Sequence, residues 1–232
     1  MRLLIDVGNT SLKAVLWQNE QIQPCDINNI PWQQITVVVY ACVGRSELLK
    51  QLLEQAQTHN IDCFEASVSR ELSTLHCAYQ QVGNLGIDRW LALISGYTLY
   101  PNTAAIVVDA GTATTIDVLN NDGQHLGGWI LPGLDLMTRS LTQNTQRVFD
   151  DANTPFANEL GKNTPNGLKN GALVATIGAI EQAKLHLNTK NSLLIFAGGY
   201  GQLLQGYFSD SIFDPMLVMK GLNYWYELAK KS

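Results

Sequence analysis

The sequence has few charged residues, no excess of basic residues and no long hydrophobic run. Only 15% of its 232 residues are charged, and 20 acidic against 15 basic residues give a net charge of −5. An average globular chain has about 25% charged residues. The acidic balance argues against a nucleic-acid binder that relies on a basic surface. The longest apolar run, residues 37–43, is far shorter than the roughly 20 residues of a membrane-spanning helix. We therefore expect a soluble protein that binds neither nucleic acid nor membrane.

Several common motifs are missing as well. The four cysteines form no CxxC pair and the four histidines no HxxxH pair, so we expect neither a zinc site nor a disulfide framework. No GxxxxGKS or GxxxxGKT is present, and no GxGxxG follows a strand, which excludes the Walker and Rossmann types of nucleotide site. The N-terminal MRLLIDVGNT reaches Asp6 too early for a secretion signal, and we expect a cytoplasmic protein.

The hydrophobic pattern predicts alternating strands and helices, typical of an α/β fold. Strands are predicted at 2–7, 12–17, 35–43, 61–64, 104–109, 114–119, 125–130 and 192–197. Helices are predicted at 46–59, 87–99, 134–146, 167–188 and 216–230. The segment Tyr-Pro-Asn-Thr at 100–103 interrupts the pattern, and the chain then starts afresh.

Two segments of the chain are similar to each other. LLIDVGNTSLKAVL and IVVDAGTATTIDVL align so that Asp6 falls on Asp109 and Gly8 on Gly111. Each consists of a strand, an Asp-x-Gly turn and a second strand. The repeat predicts two related halves, an N-terminal lobe of residues 1–100 and a C-terminal lobe of residues 101–232. Because the repeat is short, chance similarity is the alternative.

The two Asp-x-Gly turns have the composition of a phosphate site. An aspartate at the end of a buried strand is costly unless its charge is compensated, and a metal ion is one solution. The glycine allows close approach of a ligand to the backbone. The backbone N–H groups and hydroxyls that follow can bind phosphate, and Lys13 adds a cation. The alternative is a pair of ordinary hairpin turns with capping aspartates.

The motif GIDRW, residues 86–90, lies at the start of a predicted helix. Asp88 is suited to the first turn by the helix dipole, which is a purely structural role. The same carboxylate can accept a proton from an alcohol during phosphoryl transfer, and Arg89 can bind a carboxylate through two hydrogen bonds. The glycine-rich GGWILPG and FAGGYG are either tight turns or places where a ligand approaches the backbone.

The ordered motifs DVGNTSLK, GIDRW, DAGTATT, GGWILPG, GKNTPNGLKNG, AGGYG and VMKGL resemble those of the type III pantothenate kinases. This family belongs to the acetate and sugar kinase/Hsp70/actin superfamily. The resemblance implies an α/β fold of two ribonuclease-H-like (actin-like ATPase) lobes, each a mixed β-sheet flanked by helices. It also implies a cytoplasmic homodimer that uses ATP to convert pantothenate to 4′-phosphopantothenate, the first step of coenzyme A biosynthesis.

The resemblance also implies a set of site residues. Asp88 would be the general base on the substrate's primary hydroxyl. Asp109 would bind K⁺ or NH₄⁺, and Mg²⁺ would accompany ATP. The implied ATP-binding residues are Asp6, Val7, Gly8, Asn9, Thr10, Ser11, Leu12, Lys13 and Thr112. The implied substrate-binding residues are Tyr79, Gly86, Ile87, Asp88, Arg89 and, from the partner lobe or subunit, Thr164.

Two other functions are compatible with the same superfamily. One is a phosphatase acting on polyphosphate or a nucleotide, which needs an acid poised over water rather than an alcohol site. The other is an accessory protein that has kept the fold and lost turnover. The GIDRW motif argues against the first, and the aspartates at positions 6, 88 and 109 argue against the second. One departure from the family is that residues 41–45, ACVGR, contain no proline after the central strand.

Overall fold

The computed structural model describes residues 1–8, 11–44, 46–187, 189 and 192–231. The chain forms two compact units. Unit 1 consists of Met1–Pro101 together with the C-terminal segment that starts at Met216, and unit 2 is Asn102–Pro215. Across the described ranges, no helix has both the length and the apolar character needed to cross a membrane.

Unit 1 contains a five-stranded mixed sheet. Its strands are β1 (Arg2–Val7), β2 (Leu12–Gln18), β3 (Gln21–Pro24), β4 (Val37–Cys42) and β5 (Asp62–Glu65). The spatial order is β3-β2-β1-β4-β5. Pairing is antiparallel from β3 to β1 and parallel from β1 to β5. The consecutive residues Leu3, Leu4 and Ile5 of the central strand β1 are fully buried. Both faces of β1 are therefore covered, which explains its almost continuous apolar sequence.

Helix α1 (Glu47–Thr58) makes the crossover between the parallel strands β4 and β5. It begins at Ser46, whose hydroxyl accepts a hydrogen bond of 3.2 Å from the backbone N–H of Leu49, a favourable N-cap. Leu49, Leu52 and Ala56 form its buried face and belong to one hydrophobic core with residues of β1 and β4. The helical spacing of apolar residues in the sequence, at positions 48, 49, 52, 53 and 56, predicts this face except for Leu48, which is exposed.

Two further helices and a small hairpin complete unit 1. The hairpin consists of β6 (Glu71–Leu72) and β7 (Leu75–His76), and the helices are α2 (Ile87–Leu99) and α6 (Leu217–Ala229). Helices α2 and α6 pack closely, and the hydroxyl of Ser95 donates a 2.5 Å hydrogen bond to the carbonyl of Leu217. Gly221 lies so close to α2 that a Cβ there would overlap the carbonyl of Leu91.

The position of α6 corrects the expected division of the chain. The predicted C-terminal lobe of residues 101–232 includes this helix, whereas its contacts place it in unit 1. The reason is the glycine of the VMKGL motif, Gly221, which lets α6 lie directly on the backbone of α2. Helical periodicity predicts that a segment forms a helix, but it does not reveal which core the helix joins.

Unit 2 repeats the topology of unit 1. Its strands are β8 (Ala105–Ala110), β9 (Ala113–Leu119), β10 (His125–Pro132), β11 (Leu193–Ala197) and β12 (Ser211–Phe213). Their order is β10-β9-β8-β11-β12, antiparallel from β10 to β8 and parallel from β8 to β12. The helices are α3 (Leu134–Asn144), α4 (Thr164–Lys184) and α5 (Gly201–Gln205). The predicted internal repeat and the α/β class with two mixed sheets are therefore confirmed.

Two helical glycines form a matched pair that tests the packing of α6 on α2. A Cβ at Gly221 would overlap the Leu91 carbonyl, whereas a Cβ at Gly178 of α4 would meet nothing within 4 Å. We expect Gly221→Ala to lower the free energy of unfolding by about 1–3 kcal/mol, because extra volume strains a packed contact. Gly178→Ala should raise it by about 0.5–1 kcal/mol, because alanine favours the helix. Urea unfolding followed by circular dichroism measures both changes, and equal stability of the two variants would contradict this packing.

Candidate active site

The first Asp-x-Gly turn joins β1 to β2 in unit 1. Asp6 is the penultimate residue of β1, is half-buried and lies opposite Lys13 of β2. The N–H of Gly8 donates a 3.0 Å hydrogen bond to the carbonyl of Ser11, which closes the turn. The carbonyl of Val7 accepts a 3.0 Å hydrogen bond from the residue that follows β4, so the turn lies at the carboxyl ends of two parallel strands. Two expected ATP-binding residues, at positions 9 and 10, lie outside the described residues.

The second Asp-x-Gly turn joins β8 to β9 in unit 2 and contains Asp109, Gly111 and Thr112. The N–H of Gly111 donates a 2.9 Å hydrogen bond to the carbonyl of Ala113. The N–H of Gly133 donates a 3.0 Å hydrogen bond to the carbonyl of Thr112. A Cβ at Gly133 would overlap the carbonyls of Gly111 and Thr112. The last glycine of GGWILPG therefore lets the start of α3 lie directly on this turn.

The glycine pair after β11 approaches the same turn. Gly198 has φ +80°, and a Cβ there would collide with the Asp109 carboxylate and with the carbonyl of Ala110. The N–H of Tyr200 donates a 2.9 Å hydrogen bond to the Ala110 carbonyl. Since both φ and the available space require glycine, the FAGGYG motif is a close backbone approach to Asp109. It is not a plain turn.

A tyrosine and an aspartate connect two of these motifs. The hydroxyl of Tyr200, in FAGGYG, donates a 2.6 Å hydrogen bond to Oδ1 of Asp135 in the first turn of α3. The ring of Phe156 meets the ring of Tyr200 edge-on at 5.5 Å. Burial, followed by the hydrogen bond and the charge of Asp135, raises the pKa of Tyr200 to about 12. Neither Tyr200 nor Asp135 is among the predicted site residues. The sequence pointed to Tyr200 only through its place in the glycine-rich FAGGYG motif. No local pattern indicates that its hydrogen-bond partner is Asp135, which is 65 residues away.

The GIDRW motif forms the start of α2 in unit 1. Gly86 is the N-cap, and Asp88 lies half-buried in the first turn. Oδ1 of Asp88 accepts a 2.8 Å hydrogen bond from the N–H of Arg89. A Cβ on Gly86 would lie 2.6 Å from this oxygen. Gly86 is therefore the residue that leaves room for the Asp88 carboxylate to turn back over the helix start.

Arg89 joins this helix start to Tyr79. The side chain is only 4% exposed, and its Nη1 donates a 2.8 Å hydrogen bond to the hydroxyl of Tyr79. The guanidinium carbon also lies 5.6 Å from the centre of the Tyr79 ring, within range of a cation–π interaction. The structure thus brings four expected substrate residues into one cluster, namely Tyr79, Gly86, Asp88 and Arg89. Ile87 lies beside them, half-buried in the first turn.

Thr164 is the first residue of α4 in unit 2 and is exposed. The preceding Asn163 caps the helix by accepting a 2.9 Å hydrogen bond from the N–H of Asn166. Lys169, 7% exposed, donates to the carbonyls of Asp151 and Thr154 at 2.9 and 2.7 Å. Much of the GKNTPNGLKNG motif therefore shapes the helix and the loop before it, and leaves Thr164 on the surface.

Comparison with known proteins decides the family. The family model of type III pantothenate kinases matches residues 28–185. A type III pantothenate kinase of Pseudoalteromonas translucida is 76% identical and covers 100% of this chain and 99% of its own length. The chain belongs to the type III pantothenate kinase family. A type III pantothenate kinase of Colwellia psychrerythraea is 31% identical, over 97% of this chain and 95% of its own.

Solved structures agree with the fold of the type III pantothenate kinases. A protein of the Baf family of transcriptional activators from Campylobacter jejuni is 26% identical with a TM-score of 0.66, and covers 99% of this chain and 100% of its own. A 2-dehydro-3-deoxygalactonokinase from Sinorhizobium meliloti has a TM-score of 0.54 at 12% identity, over 98% of each chain, and shows the fold alone.

The expected fold and enzyme class are both confirmed. The type III pantothenate kinase is a phosphotransferase with an alcohol as acceptor, and its family implies phosphorylation of pantothenate in coenzyme A biosynthesis. The family assignment favours the kinase over the phosphatase and over the accessory protein without turnover.

Tyr200 should titrate at a higher pH than an ordinary tyrosine. Its pKa is raised from 10.0 to about 12, so the unfolded chain releases this proton first as the pH rises. The stabilisation by Tyr200 is therefore complete below about pH 10 and is lost between about pH 10 and 12. Alkaline titration by ultraviolet absorbance should show a late component that Tyr200→Phe removes and Asp135→Asn shifts to lower pH. An unchanged late component in Tyr200→Phe would assign it to another of the eight tyrosines.

Proposed function

We propose that this kinase transfers the γ-phosphoryl group of ATP to the primary hydroxyl of pantothenate, with Asp88 as the general base. The observation that carries the proposal is the cluster at the start of α2, where a carboxylate and a buried guanidinium are neighbours. Pantothenate has an alcohol and a carboxylate, and these two groups need a base and a cation respectively. The cluster offers one of each.

Asp88 is suited to accept the proton of the alcohol. Its carboxylate is half-buried, and one oxygen is oriented by the N–H of Arg89. Phosphoryl transfer depends mainly on positioning and on neutralising charge. As the substrate oxygen bonds to the γ-phosphorus, its proton passes to Asp88 and the bond from the γ-phosphorus to the bridging oxygen of ADP breaks. Gly86 supports this step because any side chain there would displace the carboxylate.

Arg89 is the group we assign to the carboxylate of pantothenate. A guanidinium binds a carboxylate through two parallel hydrogen bonds, and the hydroxyl of Tyr79 fixes its orientation. Because a phenol is neutral, this contact orients Arg89 without cancelling its charge. Ile87 belongs to the same helix start, and Thr164 is the remaining substrate-binding residue that the family resemblance implies.

The two Asp-x-Gly turns are the ATP-binding elements in this proposal. Backbone N–H groups of the segment 6–13 and of the turn at Thr112 would bind phosphate oxygens. The backbone of FAGGYG, which already approaches Asp109 closely, would offer a flat surface to the adenine ring.

The oxygen atoms beside these turns fit hard cations. The Asp109 carboxylate and the Ala110 carbonyl both face Gly198, in a space that a Cβ would fill. Such oxygens suit K⁺ or NH₄⁺, and the half-buried Asp6 suits the Mg²⁺ that accompanies ATP. When bound, these cations would neutralise phosphate charge, which a protein of net charge −5 needs locally.

The exposed apolar residues of unit 2 support a homodimer. Large side chains are exposed on β10, on the loop before α4 and after α4, where Ile130 is 66%, Leu160 94% and Leu185 73% exposed. Such surface is typical of a site of protein association. We propose that it is covered in a cytoplasmic homodimer, which would also account for the low content of charged residues.

Asp88→Asn should separate chemistry from binding. We expect kcat to fall by a factor of about 10² to 10⁴, the usual contribution of general base catalysis, while ATP affinity measured by calorimetry stays unchanged. The matched control is Glu47→Gln, which removes another first-turn acid, in α1, and should leave kcat unaltered. A fully active Asp88→Asn enzyme would show that Asp88 serves only the helix start.

Activity should depend on the monovalent cation. We expect K⁺ or NH₄⁺ to stimulate turnover over buffer containing only Na⁺, and Asp109→Asn to abolish this stimulation. K⁺ should also raise the melting temperature of the wild type more than Na⁺ does, because a ligand of the native state stabilises it. Equal turnover and equal melting temperature in the two salts would exclude a cation site at Asp109.

A further inference from the structure

Arg70 lies directly before β6 and binds the segment that carries Tyr79. Its Nη1 donates to the carbonyls of Cys77 and Tyr79, at 3.1 and 2.5 Å, and its Nη2 donates to the carbonyl of Gln80, at 2.5 Å. The backbone of Arg70 also takes part, since its carbonyl accepts a 2.9 Å hydrogen bond from the N–H of Cys77. Side chain and backbone of one residue therefore hold the same stretch of chain.

The chemistry of these contacts is specific to arginine. A guanidinium has five N–H donors in a planar arrangement and no acceptor, so one side chain can satisfy several carbonyls that converge on it. The segment 77–81 has no helix or strand of its own, and the adjacent strands β6 and β7 contain only two residues each. Because little regular structure fixes the backbone of this segment, its conformation depends on the hydrogen bonds from the Arg70 guanidinium.

Tyr79 is held at both ends by arginine. Arg70 binds its backbone carbonyl, and Arg89 binds its hydroxyl at 2.8 Å and faces its ring. A displacement of the Tyr79 backbone would move the phenol, and Arg89 would then lose a hydrogen bond and a ring contact that orient it. Arg70 thereby acts on the guanidinium of Arg89 through one intervening side chain.

We infer that Arg70 is a positioning residue of the substrate site, which acts through Tyr79 to orient Arg89 toward the carboxylate of pantothenate. The inference rests on the proposed function because it takes Arg89 as the group that binds this carboxylate. Arg70 itself touches neither the substrate nor the reacting atoms in this scheme. Its effect should therefore appear in the binding of one substrate and leave the other substrate and the chemical step largely unchanged.

The test is steady-state kinetics of Arg70→Ala in the full-length enzyme, with each substrate varied in turn. We expect KM for pantothenate to rise about 10- to 100-fold, since small misplacements of a binding group have effects of this size. KM for ATP should stay within about twofold and kcat should change far less than KM for pantothenate. Millimolar guanidinium chloride, at constant total salt, should restore part of the loss. Arg139→Ala is the control, because Arg139 donates to a carbonyl of its own helix and should leave every constant unchanged.

Two further variants keep the inference testable. Arg70→Lys keeps the charge but not the planar set of donors, so it should raise KM for pantothenate less than alanine does, and it serves if Arg70→Ala does not fold. Combining Arg70→Ala with Tyr79→Phe should add little to the larger single effect, because both act on Arg89. Additive effects, an equal rise in both KM values, or an unchanged KM for pantothenate would each overturn the inference.

Its failure is distinguishable from failure of the proposed function. A wild-type enzyme with no pantothenate-dependent turnover would refute the function, whatever Arg70 does. If wild-type turnover is normal and Arg89→Lys raises KM for pantothenate while Arg70→Ala does not, only the role of Arg70 is refuted.

Discussion

Each unit depends on a central strand that pairs antiparallel on one side and parallel on the other. In unit 1 this strand is β1, between β2 and β4, and in unit 2 it is β8, between β9 and β11. A parallel neighbour cannot be reached by a tight turn. The chain passes from β1 to β4 through β2 and β3, and from β8 to β11 through β9, β10, α3 and α4. The antiparallel neighbour requires a short turn at the carboxyl end of the central strand. The aspartates of the Asp-x-Gly turns stand at that end, and the motif glycines of unit 2 are needed because three loops share the space beside Asp109.

The sequence was informative wherever local pattern and packing agree. The repeated Asp-x-Gly segments identified both central hairpins, and the buried strands and longer helices were predicted within a few residues. The elements that escaped prediction are short, such as β12 and α5 with three and five residues, which is too few to show a period. The position of α6 escaped for a different reason. Its contact with α2 depends on a glycine beside a backbone far away in sequence, and periodicity carries no such information.

The candidate site likewise contains residues that the sequence predicts and contacts that only the structure shows. Local motifs and the family resemblance select Asp88 and Arg89 as candidates, because the two residues are adjacent in one short motif. They did not identify the contacts that orient these residues. Tyr200 and Asp135 are 65 residues apart, and Arg70 reaches its carbonyls across a hairpin. Motifs thus select the candidate site residues, whereas the contacts that orient these residues are seen only in the folded chain.

The net negative charge of the protein makes the contacts that orient Arg89 and Arg70 important. A chain of net charge −5 repels anionic substrates on average, so every local positive charge must be held where it acts. A buried guanidinium paired with a carboxylate would be stable but largely neutralised. Tyr79 contributes to Arg89 a neutral hydroxyl and the face of an aromatic ring, and both contacts favour a positive charge. Arg70 meets carbonyl oxygens in the same way. Neutral partners therefore help to orient both guanidinium groups near the start of α2, and these particular contacts do not cancel the positive charge.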